Sequence, residues 1–245
     1  LGVGTERLEE EVGRLFPDAR TLRLDRDVAA RRGHTEHVLR ALRDRRVDIV
    51  IGTQMVAKGH DFPGVQLVGV VAADIGLHLP DFRAAERTFQ LLTQVAGRAG
   101  RADRPGRVVV QTFVPDHYAI APVATHDFET FYATEIEHRR ALGYPPFGRL
   151  ARVLVHGEDE AVAGRAIEQV AAAARDAIPE GTALEVLGPA PAPIARLRGR
   201  YRFMCLVKGA DAAVFRLACQ AVVATGRKLP REVQLALDAQ PFNML

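Results

Sequence analysis

Two cysteines in 245 residues leave no material for a disulfide framework. Cys205 and Cys219 lie in the apolar contexts Phe-Met-Cys-Leu-Val and Leu-Ala-Cys-Gln-Ala. Neither has a second Cys or His at ligand spacing, so both read as small buried hydrophobes and not as metal ligands. No run approaches the roughly 20 apolar residues of a membrane span, and the start lacks the basic-then-apolar order of a secretion signal. A cytoplasmic protein with no membrane contact is expected. There is no Gly-x-x-x-x-Gly-Lys-Ser/Thr loop and no acidic box of the Asp-Glu-x-His kind, which excludes a self-contained nucleotide site of that type. Lysine is scarce: Lys58, Lys208 and Lys228 are three among 33 basic residues, and the rest are arginine. Leu1 is not a natural start, so the chain is expected to be a fragment, or a processed or mis-started product.

What is present suffices for globular structure. With 48% hydrophobic residues, the chain can bury one large or two ordinary cores. A net charge of +3 and a pI of about 9.1 lean toward anionic partners. Helical spacing covers 2–16, with Thr5 as a candidate N-cap, and then 34–45 and 83–96. Apolar strands are expected at 21–24, 48–51, 67–73 and 107–113. Continuously apolar strands separated by helices point to a parallel sheet covered on both faces.

A helix over 126–142 ends at Gly143-Tyr144-Pro145-Pro146, where two prolines stop it. The domain boundary is placed there, giving domains 1–142 and 143–245. The second domain reads strand 149–155, helix 159–178, strand 183–187, a Pro-rich loop, strand 201–207, helix 211–225 and strand 232–237. That β-α-β-β-α-β order is the split βαβ arrangement.

The richest stretch is Gln94-Val95-Ala96-Gly97-Arg98-Ala99-Gly100-Arg101. Phosphoryl transfer asks a protein chiefly for positioning and charge neutralisation. Arginine's planar fork can hold two phosphate oxygens, and a nearby glutamine can orient a water. The blander account is that Gly97 and Gly100 end a helix and leave solvated arginines behind it. It does not explain Gln94, the tight glycine spacing, or the run Gly52-Thr53-Gln54-Met55-Val56-Ala57-Lys58-Gly59-His60-Asp61 upstream.

These residues carry a resemblance. Gln-x-x-Gly-Arg-x-x-Arg resembles motif VI of superfamily 2 helicases, and the run from Gly52 through Pro63 resembles their motif V. The stretch Leu77-His78-Leu79-Pro80-Asp81-Phe82-Arg83-Ala84-Ala85-Glu86-Arg87 resembles the bacterial primosomal helicase family. So do Gly143-Tyr144-Pro145-Pro146-Phe147-Gly148-Arg149 and Gly188-Pro189-Ala190-Pro191-Ala192-Pro193, and the likeness covers essentially the whole chain.

The resemblance implies an α/β fold: a RecA-like second helicase lobe with a parallel sheet, followed by the small β-α-β-β-α-β domain. It implies Gln94, Arg98 and Arg101 as catalytic residues, and Gly59, Asp61 and Gly97 as nucleotide contacts. Thr53, Gln54 and Lys58 would meet DNA. Gly4-Thr5-Glu6 resembles motif IV, which would set Thr5 against DNA at a helix N-terminus; Thr5 as a plain helix cap stays equally open. ATP with magnesium would be shared with a preceding motor lobe, and zinc is expected in the family only through a cysteine-rich segment absent from this sequence. Implied partners are forked and single-stranded DNA, single-stranded-DNA-binding protein and other primosome proteins.

Arg196, Arg198, Arg200 and Arg202 alternate, and an extended chain would put all four on one face. That face would suit phosphates or an acidic peptide. Tyr201 and Phe203 would then pack inward. A solvated edge strand guarded against aggregation explains the arginines nearly as well. The family tends to carry a second aspartate where this chain has Asp238-Ala239-Gln240-Pro241, so no partner contact is assigned to the C-terminus.

Taken together, the sequence is expected to be part of an ATP-dependent 3′-to-5′ helicase of replication restart that is inactive without its partner lobe. The alternatives are a fork-binding platform that loads the replicative helicase without ATP turnover, and another superfamily 2 translocase.

Overall fold

The structure, a computed structural model, describes residues 4–24, 34–53, 65–97 and 106–244. The chain divides into two compact units: Leu1–Leu79 with Ala84–Phe131, and Pro80–Arg83 with Tyr132–Leu245.

The first unit contains helix α1 (Thr5–Leu15), strand β1 (Thr21–Leu24), helix α2 (His34–Arg43), strand β2 (Ile49–Gly52) and strand β3 (Leu67–Val70). A 3-10 turn (Ala73–His78), helix α3 (Ala84–Ala96), strand β4 (Arg107–Val110) and a second 3-10 turn (Ala121–Thr125) follow. Pairing is parallel, as expected: β1 with β2 from Thr21↔Ile49 to Leu24↔Gly52, and β3 with β4 from Leu67↔Arg107 to Val70↔Val110. The described strands form two separate two-stranded sheets. Burial in β3 and β4 alternates, with Leu67 and Val109 exposed, so this pair is not covered on both faces as the apolar runs suggested. Both strands are also shorter than expected, and two residues after β3 the chain winds into the 3-10 turn Ala73–His78.

Two devices fix this unit. Arg20 donates from its backbone N–H and guanidinium to the Asp48 carboxylate at 2.8–2.9 Å, while the Asp48 N–H donates back to the Arg20 carbonyl, which locks the starts of β1 and β2 together. On α3, Ala84, Thr88, Phe89 and Leu92 form the buried stripe, and Phe89 stacks on Phe131 with ring centres 4.2 Å apart. Ala119, Ile120 and Val123 close that core. Gly76 sits so near α3 that a Cβ there would lie 2.6 Å from the Thr88 hydroxyl, which restricts the position to glycine.

Helix α4 (Phe128–Ala141) comes next in the chain, with its last ten residues in the second unit. It ends in a Schellman motif: Gly143 adopts φ +63°, its N–H donates to the Arg140 carbonyl, and the Tyr144 N–H donates to the Arg139 carbonyl. The rest of the second unit is strand β5 (Arg149–Gly157), helix α5 (Glu160–Asp176), strands β6 (Leu184–Leu197) and β7 (Arg200–Gly209), helix α6 (Ala212–Gly226) and strand β8 (Val233–Ala239). This is the β-α-β-β-α-β order read from the sequence. The four strands form one antiparallel sheet in the order β6-β7-β5-β8.

Asp159 and Asp211 cap the two helices by accepting from the N–H groups of Val162 and of Ala213 and Val214. Small residues on α5 (Ala163, Ala166, Ala171, Ala174) let it lie close on Val153, Val155 and Val207 of the sheet. Cys205 is buried in this core and Cys219 half-buried; both are free thiols, and burial pushes Cys205 up to about 11.

The stretch expected as a Pro-rich loop after Leu187 is strand. β6 continues to Leu197, with register shifts between Leu187 and Ala190 and between Pro191 and Arg196. β6 lies at the sheet edge, where a proline that cannot donate costs no ladder bond. Thr5 is also corrected as a cap: Gly4 holds the N-cap position, and Thr5 is the first helical residue.

Candidate functional site

Parallel pairing carries β1 and β2 side by side to Leu24 and Gly52, so Thr53 stands just beyond the carboxyl ends of the strands, the usual ligand side of such sheets. Thr53 is exposed there. Gln54, Lys58, Gly59 and Asp61, expected as DNA and nucleotide contacts, lie outside the described residues, as do Arg98 and Arg101. Of the motif VI residues, Gln94 and Gly97 are described. Gln94 is exposed on the side of α3 away from the buried stripe, one turn beyond Gln90. Gly97 closes the helix, its N–H donating to the Thr93 carbonyl at 3.0 Å.

The two therefore sit at the C-terminal end of a helix, where the backbone dipole repels anions. A phosphate met here would depend on arginine charge and not on free backbone N–H groups. Thr5 is at the opposite kind of helix end, half-buried in the first turn of α1 beside Glu6.

In the second unit the four arginines do not share a face. Arg198 and Gly199, with φ of +50° and +82°, form the two-residue turn between β6 and β7. Arg196 pairs with Tyr201, so it lies on the helix-covered face, with its guanidinium 4.9 Å from the Tyr201 ring centre. Phe203 packs into the core from the same face, as expected.

Arg200 and Arg202 project from the other face, where Arg202 is opposite His156 and Arg152 is opposite Leu206. Arg200 approaches His156 Nδ1 to 3.4 Å and Glu158 to 3.9 Å, and Arg202 donates to the Ile194 carbonyl. Arg152 lies 3.9 Å from Asp238, and Lys208 lies 3.2 Å from Glu185. Burial, then the charges of Arg200 and Arg202, hold His156 below the ordinary histidine range. The face away from the helices thus holds four basic side chains against three carboxylates and carries Leu154, Met204 and Leu206 between its charges. Its arginine heads suit phosphate oxygens. Arg152 and His156 escape a reading of the arginine run alone, because cross-strand register, and not sequence spacing, brings them beside Arg200 and Arg202.

Among the described residues, no three His, Cys, Asp or Glu side chains are grouped to hold a metal, and no described helix is long and apolar enough to cross a membrane.

Comparison with known proteins defines the class first. Residues 6–103 match the helicase conserved C-terminal domain, and residues 140–241 match the primosomal protein N C-terminal domain. The chain belongs to the family of the replication restart protein PriA and corresponds to the C-terminal portion of its members. It is 44% identical to the protein of that name from Bacillus subtilis (strain 168), over 100% of this chain and 30% of the relative. It is 41% identical to the one from Treponema pallidum (strain Nichols), over 100% and 36%. The Synechocystis sp. protein is 39% identical over 100% of this chain and 29% of its own length. The chain spans about a third of the length of these curated relatives.

Proposed function

We propose that this chain is the second motor lobe and C-terminal domain of an ATP-dependent 3′-to-5′ DNA helicase that assembles the primosome at stalled forks. The observation that carries this reading is the co-occurrence, in order, of a helicase C-terminal domain and a primosomal C-terminal domain in a chain alignable throughout with replication restart proteins.

Motif VI supplies the chemistry: Gln94 orients water, Arg98 and Arg101 neutralise charge on the γ-phosphate, and Gly97 leaves room beside them. Gly59 and Asp61 contact the nucleotide. Thr53, Gln54 and Lys58 follow the DNA backbone from the carboxyl end of β2, and Thr5 meets it at the start of α1. Arg200, with Arg202 on the same face of β7, extends the DNA path in the second unit, while Arg196 on the opposite face and Arg198 in the turn stand apart from it. Bound ATP with magnesium supplies the phosphoryl group that is hydrolysed, and its remaining ligands belong to a preceding lobe, so these 245 residues alone should not hydrolyse it. Zinc would enter through a segment elsewhere in the parent protein. Single-stranded-DNA-binding protein and other primosome proteins are the proposed partners, in the cytoplasm.

The test is strand separation by the full-length parent on matched duplexes with a 3′ or a 5′ single-stranded tail. ATP-dependent unwinding of the 3′-tailed substrate supports the reading. Tight fork binding without unwinding on either tail favours an assembly platform.

A further inference from the structure

Four residues of the helicase-domain sequence, Pro80–Arg83, belong to the second unit by their contacts, although Leu79 before them and Ala84 after them belong to the first. Three of the four, Asp81, Phe82 and Arg83, are held by specific partners. Phe82 stacks on Tyr144, with ring centres 5.2 Å apart and planes within 18°. Arg139 lies over the Phe82 ring at 5.3 Å, and its guanidinium is itself fixed by the buried Glu135 carboxylate at 2.7 Å. Asp81 is 8% exposed and accepts from the Met244 N–H at 3.2 Å, while its other oxygen accepts from the Arg83 N–H at 2.9 Å. The Arg83 guanidinium lies 4.5 Å from the Phe242 ring centre.

The Tyr144 side of this clamp is a close-packed turn. A Cβ at Gly148 would collide with the Gly143 carbonyl, so the last position of Gly-Tyr-Pro-Pro-Phe-Gly has room only for glycine. Lys208, at the end of β7, donates to the Leu142 carbonyl at 3.1 Å and lies 5.4 Å from the Tyr144 ring centre. The strand that presents Arg200 and Arg202 therefore ends against the residue on which Phe82 is stacked. On the other side, the residue after Arg83 opens α3, the thirteen-residue helix that carries Gln94 and leads to Arg98 and Arg101.

We propose that Phe82 is a positioning residue: stacked on Tyr144, it ties the DNA-facing strand β7 to the helix that feeds motif VI, so that nucleic acid on the second unit sets the arginines for hydrolysis. This rests on the helicase reading above. It assigns a task to the primosomal signature at 143–148, which that reading leaves as a domain boundary.

The experiment uses the full-length parent protein as wild type, Phe82→Ala and Phe82→Tyr. ATP hydrolysis is measured with and without saturating forked DNA, and fork Kd is measured separately. The expected result for Phe82→Ala is a loss of about tenfold in the DNA-stimulated rate, with the DNA-free rate and fork Kd within about twofold of wild type, and recovery in Phe82→Tyr. Unchanged stimulation in Phe82→Ala overturns the proposal. So does a parallel fall in stimulated rate, basal rate and fork affinity, because that is the mark of a general structural role. If Phe82→Ala fails to fold, Tyr144→Leu removes the same stack from its other partner and is read by the same criteria. A wild-type protein that binds forks but never hydrolyses ATP refutes the helicase reading and this proposal with it, whereas a stimulated wild type beside an equally stimulated Phe82→Ala refutes this proposal alone.

Discussion

The two units use the same secondary structures to different ends. In the second unit the side chains of interest stand on regular strands, with Arg152 and His156 on β5 and Arg200 and Arg202 on β7, in a ladder of four antiparallel strands. In the first unit they stand where elements stop. Thr53 follows β2, a strand of four residues, and Gly97 follows α3, a helix of thirteen. A sheet face presents a fixed pattern of charge suited to a repeating backbone. Residues at strand and helix ends can rearrange around a small ligand, which is why chemistry concentrates on connections held by a scaffold.

The largest effects in the described structure should come from breaking each scaffold. Glu135→Ala removes the carboxylate at 2.7 Å from the Arg139 guanidinium, 15% exposed, and leaves it the Pro145 carbonyl and the Phe82 ring; the expected loss is about 3 kcal/mol, read by denaturant unfolding. Phe89→Ala empties the centre of the first core and should cost about 3–5 kcal/mol. Amide exchange sharpens the comparison: Phe89→Ala should accelerate exchange in α3, and Glu135→Ala in the segment 132–148. A change spread evenly over both units in either variant would erase the distinction. Removing the α5 cap with Asp159→Ala is smaller, at about 1 kcal/mol.

Two pH effects are smaller still. The Arg20 side-chain hydrogen bonds hold Asp48 well below the usual carboxylate range. Its contribution is complete above the unfolded carboxylate pKa and is lost as pH falls below it. Asp48→Asn should therefore flatten the acid limb of the first unit's unfolding curve. His156 has the opposite chemistry and the same direction: its folded pKa is depressed, so the unfolded chain takes up the proton first, and stability drops as pH falls through the ordinary histidine value. The groups facing it are Arg200 and Arg202 on β7, Gln234 across on β8, and Glu158 just beyond β5. A phosphate placed among them would offset the arginine charge and raise the His156 pKa, so DNA binding should strengthen slightly as pH falls below neutral and lose that dependence in His156→Ala.

Local chemistry made much of this fold legible. The caps Asp159 and Asp211, the small-residue face of α5 and the alternation of Ala151, Val153 and Val155 against Arg152, Leu154 and His156 all carry short-range signals. β6 was misread beyond Leu187 because proline breaks the strand pattern everywhere except at an edge, and edge position is a property of the assembled sheet. Arg198 was misplaced because a left-handed arginine in a two-residue turn has no composition cue. At the candidate site, the motif residues were legible by type. Their place at a helix C-terminus was legible too, since the helix expected over 83–96 with Gly97 to end it is α3. The Phe82 clamp was invisible because its partner Tyr144 lies 62 positions away and the helical period says nothing about it.

The central claim is that this chain contributes the charge-neutralising half of a DNA-driven ATPase. Its most direct test is ATP hydrolysis on forked DNA by the full-length parent, wild type beside Arg101→Ala. The account predicts DNA-stimulated turnover in the wild type and a loss of about a thousandfold or more in the variant. Equal rates in the two proteins, or no hydrolysis by either while both bind forks, would contradict it.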